Sequence, residues 1–110
     1  MINAIIVEDD LVVAQTNTRY LQYFPEIFVS HVFVNGLNAF EHMLNNRVDL
    51  ALVDISMPAM NGVDLLRQMR LNHIRTDVIV VTASTDVKDL DAMLGMGIID
   101  YLVKPFELKR

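Results

Sequence analysis

Residues 52–62 read LVDISMPAMNG, an apolar run that ends on one acidic side chain and then breaks at Pro58 and Gly62. A carboxylate at the end of a buried segment is costly unless something there offsets its charge. The run itself, Leu50–Val53, is too short for a helix and apolar on both faces, which fits a strand of a parallel sheet covered on both sides. Similar runs appear at Ala4–Val7, Ile27–Val34, Val78–Val81 and Tyr101–Val103. Between them lie stretches with helical spacing. Leu11, Val12, Tyr20, Leu21 and Phe24 mark a first helical face, and Leu37, Phe40, Met43 and Leu44 a second. Val63, Leu65, Leu66 and Met69 mark a third, and Val87, Leu90, Met93 and Leu94 a fourth. Gly95 and Gly97 stand where that last helix needs residues tolerant of positive φ. Strands alternating with helices predict right-handed βαβ units and an α/β fold on one parallel sheet.

Composition narrows the function classes. The chain has 110 residues, enough for one core and one domain over 1–110. Hydrophobic residues make up 53% and charged residues 21%, which points to a folded chain rather than a disordered one. No apolar run approaches the ~18 residues that span a bilayer, and no signal-peptide pattern opens the chain, so no membrane partner is expected. Cysteine is absent, which excludes a disulfide framework and cysteine-ligated zinc and agrees with a reducing cytoplasm. The net charge is −5, with nine Lys and Arg scattered among fourteen acids. That is no footprint for nucleic acid, so the chain by itself is not expected to hold DNA.

In an open parallel sheet, ligands bind beyond the carboxyl ends of the strands. The first strand delivers Glu8, Asp9 and Asp10 there, the third Asp54, the fourth Thr82 and the fifth Lys104 and Pro105. Taken singly, each has a commoner role: a helix-capping acid, a loop-capping Asp, an ordinary strand threonine, a solvated lysine. Their convergence on one edge changes that. Clustered carboxylates repel unless a cation neutralises them, and oxygen-only ligands select a hard ion such as Mg²⁺. Asp54 beside Mg²⁺ can act as a nucleophile toward a phosphoryl donor. Mg²⁺, the Lys104 ammonium and the Thr82 hydroxyl would then share the charge on the phosphoryl oxygens.

At these residues the chain resembles the receiver domain of a bacterial two-component response regulator. IIVEDD (5–10), LVDISMPAMNG (52–62), VIVVTAS (78–84) and DYLVKPF (100–106) match the family's signatures in order and spacing, from Met1 to about Phe106. The resemblance implies a flavodoxin-like, doubly wound five-stranded sheet of order 2-1-3-4-5. It makes Asp54 the phosphoacceptor and gives Mg²⁺ to Glu8, Asp9, Asp54 and the backbone carbonyl of Ser56. Asp10 is left as a helix cap. Thr82 becomes the switch hydroxyl, Tyr101 the aromatic that follows it inward, and Lys104 the phosphate-binding lysine before a cis bond to Pro105. A modest further likeness, carried by NTRYLQYFPEIF (17–28) and DYLVKPF, is to regulators of citrate and dicarboxylate metabolism, which carry a C-terminal helix-turn-helix domain.

The implied role is a switch rather than an enzyme. A sensor histidine kinase supplies the phosphoryl group, and the surface of the fourth helix and fifth strand changes to control output, with transcription the expected one. Any DNA contact would come from an output domain absent from this chain; a stand-alone receiver acting through protein contacts is the alternative. A flavin or nucleotide module fits poorly, because three consecutive acids replace the glycines that cradle phosphate. A magnesium phosphohydrolase would carry a second acid two residues past its nucleophile, where Ser56 stands. Ser56 and Ser84 are short beside the path of an attacking water, so slow self-dephosphorylation is expected. The family's fifth helix would be truncated at ELKR (107–110), leaving one flank of the sheet open. That open flank leads to the expectation of self-association or reduced stability and of an N-terminal fragment of a longer regulator; homodimerisation or self-association on activation is expected besides.

Overall fold

The computed structural model describes residues 1–82 and 87–103. Along them, β1 (Ile2–Val7), α1 (Leu11–Gln22), β2 (Ile27–Phe33), α2 (Gly36–Asn45) and β3 (Leu50–Asp54) alternate. They are followed by α3 (Gly62–Leu71), β4 (Asp77–Thr82), α4 (Val87–Leu94) and β5 (Asp100–Val103). The strands form one sheet in the order β2-β1-β3-β4-β5, every neighbouring pair parallel. This is the flavodoxin-like arrangement expected. The truncated fifth helix expected at 107–110 falls outside the described residues.

Alternation along the central strands sends side chains to two cores. Ile5, Val7, Ala51, Val53, Val78 and Val80 pack with Ala39 and Met43 of α2, Leu65, Leu66 and Met69 of α3 and Met93 of α4. Ala4, Ile6, Leu50, Leu52 and Val81 pack on the opposite side with Ala14 and Leu21 of α1. β3 is buried at all five positions, as a central parallel strand must be. β2 departs from the both-faces-covered reading, because it is an edge strand with no fully buried residue.

The helical faces need correction too. Leu11 and Val12 are exposed, and α1 buries Ala14, Asn17 and Leu21 instead. Phe24 lies past the end of α1. Leu37, Leu44 and Leu94 also face solvent, whereas the α3 face is as expected. Gly97 has φ of 83°, but Gly95 is not among the positive-φ residues.

Two local features depart from this regular pattern. Arg70 near the end of α3 donates to four backbone carbonyls: Ile74 at 2.8 Å, Thr76 at 3.2 Å, Met96 at 3.1 Å and Gly97 at 2.9 Å. One guanidinium thus ties the end of α3 to the approach to β4 and to the turn after α4. The second feature is a bulge in β2. Val29 pairs with Ala4 and His31 with Ile5, so Ser30 is an extra residue. Its hydroxyl donates to the Ala4 carbonyl at 3.4 Å.

Asn17 is 1% exposed, and its Oδ1 has no hydrogen-bond partner among the described residues. A desolvated acceptor without a partner costs stability, and leucine has a similar volume. Asn17→Leu is therefore expected to stabilise the domain by about 1 kcal/mol in urea unfolding; a loss of stability would show that the amide is satisfied.

Candidate functional site

The site grows from the register of two central strands. Val7 of β1 lies opposite Val53 of β3, so the next residues, Glu8 and Asp54, emerge side by side at the carboxyl edge. Glu8 is fully buried and Asp54 is 3% exposed, while Asp9 is open to solvent. One carboxylate oxygen from each of the three lies within 4.8 Å of the others. Asp10 points elsewhere. Its Oδ1 accepts from the backbone N–H of Val12 at 2.9 Å and of Val13 at 3.3 Å, which caps α1 and bears out its reading as a helix cap. The Asp10 N–H donates to Glu8 Oε2 at 3.2 Å, so the cap also steadies the buried acid.

Thr82 closes β4 one residue beyond Val81, the partner of Asp54, and is buried. Ser56, two residues past Asp54, is exposed. Tyr101 lies on β5 opposite Val80 and is 44% exposed. Lys104, Pro105 and Ser84 lie outside the described residues; Lys104 directly follows Val103, which pairs with Thr82. The strands thus bring Glu8, Asp9, Asp54 and Thr82 to one edge.

The loop after Asp54 is held at both ends. The Ile55 N–H donates to the Val81 carbonyl at 3.2 Å, and the Gly62 N–H donates to the Ile55 carbonyl at 2.7 Å. A Cβ on Gly62 would meet the Asp54 carbonyl and lie 2.8 Å from Ile55 Cα. A Cβ on Gly36, at the start of α2, would collide with the Met60 carbonyl. Two glycines thus let two helix starts close on the segment carrying Asp54 and Ser56. Each follows a capping asparagine: Asn35 Oδ1 accepts from Asn38 N at 2.8 Å, and Asn61 Oδ1 from Asp64 N at 2.9 Å. Reading strand ends alone misses this seat, whose only signal in the sequence is the repeated Asn-Gly pair. Within the loop, the Met60 N–H donates to the Pro58 carbonyl at 2.8 Å, and Ala59 takes φ of 69°. That conformation is strained for a residue with a Cβ.

Chemically, the cluster offers oxygen donors from two buried carboxylates and one exposed one. Three such groups within 4.8 Å fit a small hard divalent cation held partly by water. There is no glycine-rich cradle after β1, so an anionic phosphate would be repelled without the ion.

Comparison with known proteins agrees with this geometry. Residues 4–110 match the family described as response regulator receiver domain. The chain is 37% identical to the transcriptional regulatory protein MalR of Bacillus subtilis (strain 168), over 100% of its own length and 47% of MalR. It is 33% identical to the probable C4-dicarboxylate response regulator DctR of Priestia megaterium, over 96% of its own length and 46% of DctR. The chain therefore spans about half the length of these curated relatives. Among solved structures it resembles the receiver domain of sensor histidine kinase PA1611 of Pseudomonas aeruginosa PAO1, with a magnesium ion coordinated in its active site cleft. That likeness has a TM-score of 0.80 at 28% identity and covers 96% of this chain and 86% of that one.

The loop packing makes two opposed predictions. Gly62→Ala is expected to cost roughly 1–3 kcal/mol by overpacking and to weaken Mg²⁺ binding as the Asp54 carbonyl is displaced. Ala59→Gly relieves the left-handed strain and is expected to gain roughly 0.5 kcal/mol. Thermal melts and Mg²⁺ titration of the two variants check both.

Proposed function

The chain belongs to the response regulator receiver domain family, and from that premise we propose that Asp54 is the residue through which it is switched. Receiver domains of two-component systems are regulatory rather than catalytic. The observation that carries the proposal is the buried Asp54 carboxylate held within 4.8 Å of those of Glu8 and Asp9 at the carboxyl edge of the sheet.

Glu8, Asp9, Asp54 and the Ser56 backbone carbonyl would hold Mg²⁺. When bound, that ion neutralises the cluster and takes part of the phosphoryl charge. An Asp54 carboxylate oxygen attacks the phosphorus of a phosphohistidine on the sensor kinase. The new O–P bond forms as the P–N bond breaks, and the imidazole leaves with the electron pair. The Thr82 hydroxyl, at the end of β4, donates to one phosphoryl oxygen, and the Lys104 ammonium pairs with another. Thr82 leaves its resting position for the phosphoryl group, and Tyr101 turns inward from its exposed place on β5. The exposed apolar side chains Leu94, Ile99, Tyr101 and Val103 then present a different surface, which is where self-association on activation would be gained.

The relatives extend the proposal. MalR's name gives a transcriptional role and DctR's a C4-dicarboxylate response, so the longer regulator carrying this domain would control transcription through an output domain beyond it. No described helix is long and apolar enough to cross a membrane. With no cysteine in the chain, the cytoplasm is the proposed location.

Acetyl phosphate with Mg²⁺ is expected to load one acid-labile phosphate per chain and then stop. Asp54→Asn should keep its fold by circular dichroism and take up none; continued phosphate release, or labelling of the variant, would refute the assignment. Once the donor is removed, the phosphoryl group should decay slowly, because the short Ser56 side chain positions an attacking water poorly. Ser56→Asn is expected to quicken that decay, and unchanged decay would assign the lifetime to other groups.

A further inference from the structure

The bulge at Ser30 does more than disturb the edge of the sheet. In a regular strand, His31 would share a face with Val29, which packs on the α1 side. The extra residue reverses that parity, so His31 instead pairs with Ile5, a residue of the α2–α3 core. There its ring stacks on Phe33, with centroids 5.7 Å apart and planes 14° apart. It also meets His42 of α2, the two imidazole centroids lying 4.5 Å apart. Phe33 backs both rings, 5.1 Å from that of His42.

The ring nitrogens are sorted by their neighbours. His31 Nδ1 lies 3.1 Å from Ser30 Oγ, and His42 Nδ1 lies 3.4 Å from the Asn46 amide nitrogen. No hydrogen bond among the described residues engages either Nε2. Burial, and then the neighbouring His31, hold the His42 imidazole below its ordinary pKa, which keeps it in the neutral form that ligates metals. Centroids 4.5 Å apart bring the two rings close enough for one cation, ~2.1 Å from each nitrogen, to reach both. Neutral imidazole suits Cu²⁺, Ni²⁺ and Zn²⁺, and of these Cu²⁺ binds nitrogen ligands most tightly.

We propose that His31 and His42 form a two-imidazole clamp for a borderline divalent cation, Cu²⁺ ahead of Ni²⁺ and Zn²⁺, tying edge strand β2 to helix α2. Water completes the coordination, since His31 is exposed. The clamp is chemically separate from the carboxylate cluster: imidazole nitrogen takes the softer ion and carboxylate oxygen the harder one.

The test uses the untagged chain in saturating Mg²⁺, titrated calorimetrically with CuCl₂, NiCl₂ or ZnCl₂. One ion per chain is expected at micromolar affinity, with two nitrogen couplings in the electron paramagnetic resonance spectrum of the Cu²⁺ form. His31→Gln and His42→Gln should each weaken binding at least tenfold, while His73→Asn, at the remaining histidine, leaves it unchanged. Metal-free melting curves of the variants establish that they fold, and asparagine replaces glutamine at either position where they do not. Binding insensitive to both clamp substitutions, abolished by excess Mg²⁺, or as tight for Zn²⁺ as for Cu²⁺ would overturn the proposal and leave the pair as aromatic packing around Phe33.

Discussion

The organising constraint is the forced proximity of like charges at the carboxyl edge of the sheet. Glu8 and Asp54 are adjacent because β1 and β3 are parallel neighbours in a register that pairs Val7 with Val53. Neither acid can retreat, since Glu8 follows directly on β1 and Asp54 ends β3, and the residues before each are buried. Two apolar cores, one on each side of the same strands, therefore hold charges together against their repulsion. A bound divalent cation would offset the repulsion within the cluster, and the proposed chemistry draws on it. The fold acts here as a spring of fixed length: strand spacing sets the distance between the acids, and hydrophobic burial supplies the stiffness.

The helices complete the site by backbone approach more than by side chains. Gly62 lets α3 begin against the Asp54 carbonyl, and Gly36 lets α2 begin against that of Met60. The segment from Ile55 to Met60 is thus pressed from two sides, and its one left-handed residue, Ala59, takes up the resulting turn. At the far end of the molecule, Arg70 holds the turn after α4 through carbonyl contacts.

Much of this is legible in the sequence, for identifiable reasons. Buried parallel strands announce themselves as short apolar runs, and Glu8, Asp9 and Asp54 each stand close after one. Asp10 reads as a cap because an acid before a helix has few other uses. What the sequence hides is tertiary. Leu11 and Val12 have helical spacing but face water, and α1 turns Ala14, Asn17 and Leu21 to the core instead. Nothing in the one-dimensional pattern says that Asn17 is buried. The meeting of His31 with His42 depends on a strand that slips by one residue, and a period-two reading places His31 on the wrong face.

That slip has a consequence for how copies of the domain meet. A straight edge strand is a template, its unpaired amides and carbonyls spaced to receive another strand of any matching length. With Ser30 inserted, the groups before and after it are out of phase with a regular partner, and the edge turns away from a flat approach. Sheet-to-sheet growth through β2 is discouraged at its midpoint. A contact between copies at this edge would have to be made by side chains rather than by a continuous backbone ladder.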